Sequence, residues 1–479
     1  MRFDFSGIDS RGVLRGFIEK LLLGMGDFFR RYPMPGSGAL LYGRYETPSE
    51  LFRAFALFVQ DRGGDKLYVI IDEYDQFANE ILAADKSLFH AMTSNDGFLK
   101  SFYANLKDQT ASGTVSRIFM TGVTSVSLDS ITSGFGIQRN ISQLPAFADS
   151  LGFTDEELRG LVAETIDLDH CGVKLEQLMD RMRDYYNGYR FSPQSEKSVY
   201  NASMCLYYLS SLQDAGEEPA DLFDPAVGTD ISKMRSILEL ADEAVVREVV
   251  DAANRDQALP IPNAALSAAI NLNARNRFDE RSVLSFLFFL GFLTFPKGER
   301  ERLRCPNKAV IGQFYEYFFQ SEYGAAPTFE GSALRAVFQK LEAGEIEPLL
   351  VFVSERLQKS CGLHVLTHFS ETALQVALKF AMLTNSDYEV TLEDEARGRG
   401  FCDLLLRPKN PTSGAAAYLL ELKYFKRSDA SEENIAHALE ASKSQLLRYG
   451  AVEPAAAIEN LRKVAAVFAG LQLCRVAKV

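Results

Sequence analysis

The chain has 479 residues and a formal net charge of −13. That length holds about three domains at roughly 150 residues each, and the acidic balance excludes a generally basic coat for nucleic acid. With 47% apolar and 11% aromatic residues it can bury large cores.

RFDFSGI, Arg2 to Ile8, reads as a strand that starts directly at the initiator Met. The pattern then predicts a helix over VLRGFIEKLLLGMGDFFRRY and a Gly/Pro loop around Pro33 to Gly38. Thr47, Pro48 and Glu50 supply an N-cap, a proline at the first helical position and a Glu three residues after the cap. The helix they open, ELFRAFALFVQDR, runs to Gly63-Gly64 and leads into LYVIIDEYDQF, an apolar strand closed by Asp72 and Glu73. Taken alone, that pair reads equally well as two acids capping a strand. A further strand over Arg117 to Met120 places Thr121 at its C-terminal end.

FDFSGI, YVIIDEYD, FMTGVTSVSLDSITSGFG, LGFTDEEL and YYNGYRFS together resemble the bacterial AAA-ATPase-like family, whose members often carry a fused PD-(D/E)xK nuclease domain. The resemblance runs from near Met1 to about residue 210 and continues in a G-F-L-T then C-P-N-K pattern. It implies a P-loop NTPase-like parallel sheet, with Asp72 as the Mg²⁺-holding acid of a Walker B strand, Glu73 polarising the attacking water and Thr121 as a sensor. One element departs from the family. No G-x-x-x-x-G-K-[ST] phosphate-binding loop occurs anywhere, and GGDKL at Gly63 does not fit it. Either the chain is an N-terminal truncation or gene-start error, or the ATPase half is inactive, and poor ATP binding with little hydrolysis is expected. Relatives often form rings, so a homo-oligomer is a candidate state, with Arg139 and Arg190 as candidate arginine fingers.

From about Asp149 to Gln320 the pattern is mainly helical. Thr154 and Glu157 form a capping box ahead of an amphipathic helix, where an AAA lid would begin. The aromatics around Asn187-Gly188 and Asn201 read as packing at a tight turn ahead of a ligand surface. VLSFLFFLGFLTF, Val283 to Phe295, is 13 residues, too short to span a bilayer; it reads as a buried helix entering a strand. No membrane segment and no signal peptide is found. Cysteines at 171, 205, 305, 361, 402 and 474 form no C-x-x-C pair, so neither a zinc site nor a disulfide framework is suggested, and reduced thiols in a cytoplasmic protein are expected. His364 and His368, spaced i, i+4, have no evident third ligand.

AAPTFEGS, Ala325 to Ser332, suggests a domain boundary. Beyond it, SETALQVALKF is helical, with Leu374, Ala377, Leu378 and Met382 on one side. FCDLLLR and AAYLLELKYF, joined by a Pro/Gly/Ser turn, read as a β-hairpin. Leu419, Glu421, Lys423 and Phe425 share one strand face. A charged pair inside a run that otherwise looks buried is costly without partners, and Asp403, eighteen residues before Glu421, is the obvious one. Two carboxylates and an ammonium meeting at one point suit a Mg²⁺-dependent phosphodiester hydrolase. The bland alternative is a surface hairpin with an exposed Glu–Lys pair.

These residues resemble the PD-(D/E)xK nuclease superfamily, with Asp403 as the motif aspartate and Glu421-Leu422-Lys423 as the (D/E)xK element. The resemblance implies that Asp403 and Glu421 bind metal, that Lys423 positions water or phosphate, and that Glu371 adds a carboxylate from the upstream helix. In ENIAHALEASKSQLLRYG, Gln445 and Tyr449 match a Q-x-x-x-Y ending of related domains, which places Gln445 in the site. Arg397, Arg399, Arg407, Lys409, Lys423, Lys426 and Arg427 could form a basic rim for nucleic acid, DNA ahead of RNA, or simply a solvated surface balanced by Glu393, Asp394 and Glu395.

The expected organisation is an α/β protein: an AAA-like core lacking its phosphate loop over residues 1–148, a helical lid and connector over 149–328, and an α/β nuclease-like domain over 329–479. The leading functional reading is a Mg²⁺-dependent nuclease. A non-cleaving nucleic-acid-binding or scaffold protein, and an ATP-dependent signalling switch in a longer chain, are the alternatives.

Overall fold

A computed structural model describes residues 1–62, 65–75, 81, 86–94, 96–122, 139–219, 222, 229–266, 277–329, 332–360, 369–385, 387–395, 401–451 and 455–479. His364, His368, Arg397, Arg399, Gly63, Gly64 and residues 123–138 lie outside them. The chain divides into two units, one of residues 1–144, 236–245 and 260–293 and the other of residues 145–235, 246–259 and 294–479.

The first unit is built on a three-stranded parallel sheet in the order β1 (Arg2–Asp4), β2 (Leu67–Asp72) and β3 (Val115–Met120). β1 is shorter than the seven residues expected, because Asp4 turns its carboxylate onto the Ser6 N–H and Gly7 takes a positive φ of 64°. The helix Val13–Arg31 buries Val13, Phe17, Leu21, Met25 and Phe29, one residue per turn. Its Gly24 is a contact requirement: an added Cβ would stand 2.6 Å from both the Arg2 carbonyl oxygen and the Phe3 ring. The helix Pro48–Asp61 starts as the sequence predicts, with the Thr47 hydroxyl accepting from Glu50 N and the Glu50 carboxylate accepting from Glu46 N at 3.1 Å each. Phe3, Phe5, Phe17, Phe52 and Phe102 join both helices to the sheet, Phe5 and Phe17 stacking at 4.2 Å between centroids.

In the second unit the Thr154–Glu157 capping box is formed at the head of the helix Asp155–Thr165. Leu175–Tyr186, Ala202–Ala215 and Lys308–Tyr323 follow, with the two-residue strand Arg302–Leu303 (β5); Leu259–Pro260 (β4) falls where the division between units runs. The aromatic and asparagine cluster is packing, as expected. Tyr185, Tyr186, Tyr200 and Tyr208 are buried, Asn201 caps one helix, and Asn307 caps another while donating to the Asn187 carbonyl at 2.7 Å. Gly188, at φ 100°, is forced by closeness: its Cβ would lie 2.0 Å from the Pro306 carbonyl oxygen.

The same unit ends in a five-stranded mixed sheet of β6 (Tyr388–Glu395), β7 (Phe401–Pro408), β8 (Ala417–Phe425), β9 (Leu461–Ala469) and β10 (Gln472–Lys478), in the order β10-β9-β8-β7-β6. β7 and β8 form the predicted antiparallel hairpin, pairing Leu404 with Leu420, Leu405 with Leu419 and Leu406 with Tyr418. The turn between them is made by Asn410, whose side chain accepts from Thr412 N, and by Gly414 at φ 76°. β8 and β9 are parallel, so the chain must cross over between them, and the helix Glu432–Tyr449 is that crossover. Among the described residues no helix is long and apolar enough to cross a membrane.

Candidate active site

Three elements of the second unit supply the site. The first is the hairpin. Beyond the paired Leu404 and Leu420, the next residues along the two strands are Asp403 and Glu421. The second is the crossover helix, where Leu446 and Tyr449 pack with Leu405, Leu419 and Ala465 over the face that carries both carboxylates. The third is the helix Glu371–Met382, started by Ser370, whose hydroxyl accepts from Ala373 N at 3.2 Å.

Glu421 is 2% exposed and Lys423 Nζ donates to its Oε1 at 2.8 Å. Its other oxygen, Oε2, is buried and has no hydrogen-bond partner among the described residues. Burial chiefly, then the nearby Asp403 charge, pushes the Glu421 carboxyl up to about 7 against the pull of Lys423. Burial disfavours the Lys423 ammonium, but the hydrogen bond and charge of Glu421, with Glu371 and Asp403 behind it, raise its pKa instead. The exposed surface pair of the bland alternative is therefore not what forms. Asp403, half-buried, uses both oxygens: Oδ1 accepts from Gln375 Nε2 at 2.9 Å and Oδ2 from Leu422 N at 2.5 Å.

Glu371 stands within electrostatic reach of Glu421 and Lys423. Gln445 brings a buried Oε1 that has no partner among the described residues, and the buried Tyr449 one turn on feels the charges of Glu421 and Lys423. Sequence reasoning missed Gln375, which is 4% exposed. Its signal was the i, i+4 spacing from Glu371, a second polar residue on the same face of an otherwise apolar helix.

Among the described residues no group of three or more His, Cys, Asp and Glu side chains is placed to hold a metal ion. What does meet is a pair of carboxylates, one with a buried oxygen that lacks a donor. This donor set fits a hard cation, which takes one or two protein carboxylates and completes its shell with water and phosphate oxygens.

The acids predicted in the first unit end differently. Asp72 closes β2, its Oδ1 accepting from the Thr121 hydroxyl and its Oδ2 from Arg2 Nη2 at 2.6 Å. The Thr121 hydrogen bond, the largest influence, and the smaller pull of Arg2 hold its carboxyl below the usual range against desolvation. Glu73 follows at φ 52°, the left-handed region that few side chains adopt, and Asp75 beyond it is fully buried. Arg139 is exposed on the first unit, and Arg190, in the second, donates its backbone N–H to Thr294 Oγ1 at 2.7 Å.

The family model of the PD-(D/E)XK nuclease superfamily matches residues 370–478, a span that holds Glu371, Asp403, Glu421, Lys423 and Gln445. A second, described as a predicted AAA-ATPase, matches residues 8–132 and so covers Asp72, Glu73 and Thr121. The chain joins an AAA-ATPase-like domain to a PD-(D/E)XK nuclease-superfamily domain. Searches of curated proteins and of solved structures find no match. The parallel sheet of the first unit and the mixed sheet at the C-terminus agree with this pairing of domains. Within the nuclease-superfamily domain the hairpin carries both the aspartate and the E-x-K element, and the two flanking helices bring Glu371 and Gln445.

Proposed function

We propose that the C-terminal domain hydrolyses nucleic-acid phosphodiester bonds with Mg²⁺, DNA being favoured over RNA as substrate, and that the AAA-like domain of this chain does not turn over ATP. The observation that carries the reading is Glu421: a nearly fully buried carboxylate beside a second carboxylate, with one oxygen on Lys423 and the other without a donor. Leaving a buried carboxylate oxygen unpaired costs stability unless something else completes it.

A bound Mg²⁺ would supply Lewis-acid polarisation of the phosphate and a lowered pKa for water. Asp403 and Glu421 would hold it. Lys423, kept protonated by Glu421, orients the attacking water or steadies charge on the phosphate. Glu371 adds negative charge from the helix N-terminus, and the free Gln445 carbonyl oxygen offers an acceptor for water. Lys426 and Arg427, just past β8, supply positive charge suited to a phosphate backbone, whereas Arg407 and Lys409 are paired with Glu389 and Asp184. The proposed domain limits are those read from the sequence, 1–148, 149–328 and 329–479, in a cytoplasmic protein able to form homo-oligomers.

The test is cleavage of single- and double-stranded DNA and RNA by the purified chain with Mg²⁺ or Mn²⁺, beside Asp403→Ala and Lys423→Ala. Metal-dependent cutting that Asp403→Ala abolishes and Lys423→Ala strongly reduces is the expected result. Cutting that survives both would place the chemistry elsewhere.

A further inference from the structure

The helix Glu371–Met382 is apolar and buried along most of its length: Ala373, Leu374, Val376, Ala377, Leu378, Ala381 and Met382 are all inside. Through it runs one polar stripe at four-residue spacing, Glu371, Gln375 and Lys379. Gln375 and Lys379 are 4% and 7% exposed, a costly placement that calls for partners. Lys379 Nζ finds one in the Asn254 carbonyl at 2.8 Å, and just past the helix the Tyr185 hydroxyl donates to the Leu383 carbonyl. The Phe380 ring adds a contact with Tyr315 at 5.6 Å between centroids. Three elements of the same unit thus pin the end of the helix away from the site. Its register on the sheet is fixed before any ligand arrives.

Gln375, in the middle of that stripe, donates Nε2 to Asp403 Oδ1 at 2.9 Å, while Leu422 N holds Oδ2 at 2.5 Å. Two donors on two different oxygens fix both the direction and the plane of the carboxylate. Both donors are neutral. A lysine or arginine in their place would fix the plane as well, but would cancel the charge a cation needs.

We propose that Gln375 is a positioning residue of the nuclease site, an uncharged amide that holds Asp403 in metal-binding orientation without competing for its charge. The inference rests on the metal-dependent reading above and deepens it. Gln375 acts through Asp403, so its loss shows first in metal affinity.

The experiment is calorimetric titration of the full metal-free chain with Mn²⁺, together with its thermal melt, for wild type, Gln375→Met, Gln375→His, Asp403→Ala and the exposed control Thr372→Ala. Methionine keeps the bulk and removes the donor; histidine keeps a neutral N–H donor. The methionine variant is expected to melt cooperatively near wild type and to bind Mn²⁺ about 10- to 100-fold more weakly, the usual effect of losing a group that orients a metal ligand. Histidine should recover most of that loss, and saturating Mn²⁺ should restore cleavage to the methionine variant. Wild-type affinity in Gln375→Met, with binding lost in Asp403→Ala, overturns the inference and leaves the nuclease reading standing. A wild-type chain that neither binds Mn²⁺ nor cuts takes both down. Should the methionine variant lose its cooperative melt, histidine decides: near-wild-type affinity supports the role, and affinity as low as that of Asp403→Ala overturns it.

Discussion

Asp72 and Asp403 make an informative pair. Asp72 closes β2 and Asp403 lies near the start of β7; a metal-binding reading singles out both, and each has a donor on both carboxylate oxygens. The donors differ in charge. Asp72 faces a hydroxyl and the Arg2 guanidinium, so its charge is already matched by the protein. Asp403 accepts from an amide and a backbone N–H, with the Lys423 ammonium near enough to feel its charge, and its neighbour Glu421 has a buried oxygen with no donor among the described residues. Counting hydrogen bonds would rate the two acids alike; counting charge separates them. A carboxylate neutralised from within offers less to a cation than one oriented by neutral groups.

The largest effects are expected at the residues proposed to hold metal and manage charge. Removing a carboxylate with Asp403→Ala or Glu421→Gln should reduce metal-dependent cleavage to background, and Lys423→Ala should lower the rate by about 10²- to 10⁴-fold, as loss of a group managing a proton or developing charge does. If Glu421→Gln leaves the biological function intact while cutting is absent from every form, the domain binds nucleic acid without turning it over. The corresponding change in the other unit, Asp72→Asn, should leave cleavage untouched, and a nucleotide-binding assay should give the same low signal for both forms. Tight binding of labelled ATP by the wild-type chain would break the contrast.

Backbone crowding ranks next. Gly188→Ala puts a Cβ 2.0 Å from the Pro306 carbonyl at φ 100°, so the turn must move. A loss of about 1–3 kcal/mol or more is expected from strain of this kind, measured by chemical denaturation. Wild-type stability would mean that the turn yields at little cost.

The pH dependence sharpens the comparison further. Glu421 titrates near 7 in the folded chain, above its ordinary value of 4.5, so the folded state keeps a proton that the unfolded state releases. Stability of the metal-free chain should therefore fall as pH rises from about 4.5 to about 7 and level off beyond, and Glu421→Gln should remove that component. Mn²⁺ needs the ionised form, so its affinity should drop as pH falls below about 7. Asp72 has the opposite sign. Its lowered carboxyl contributes stability that is present at neutral pH and lost only in acid. Melting curves across this range for wild type and Glu421→Gln decide the point, and identical slopes would contradict it.

Much of this was legible in the chain because the signals are local. The hairpin, the shared face of Glu421 and Lys423, and the caps at Thr47 and Thr154 each follow from residues within one element or one turn. The meeting of Asp403 and Glu421 was legible too, since one tight turn sets the register that brings them together. Gln375 and Arg2 were not. Gln375 reaches Asp403 across 28 residues and Arg2 reaches Asp72 across 70, so each partnership depends on how elements pack. Periodicity gives the face of a helix but not the element that face will meet. The short β1 has a local cause, the Asp4–Ser6 turn, which the apolar alternation of FDF masked.

The smallest effect tests the comparison from its weak side. Arg2→Ala removes the cation on Asp72, but that pair is open to solvent, the arginine side chain being 64% exposed and the aspartate 33%. Screening and side-chain entropy leave such pairs worth about 0–1 kcal/mol, so the melting temperature should hardly move. The charge at β2 should nonetheless change: Asp72 loses its internal counter-ion and keeps only Thr121, so its carboxyl should rise toward the ordinary range without fully reaching it. Titration of the Asp72 carboxyl by NMR in wild type and Arg2→Ala measures that directly. A shift at Asp72 with no gain in Mn²⁺ binding would show that an open carboxylate is insufficient without a second one beside it, as Asp403 has in Glu421. A gain in Mn²⁺ binding there would mean that Arg2 alone had kept the strand end closed to cations.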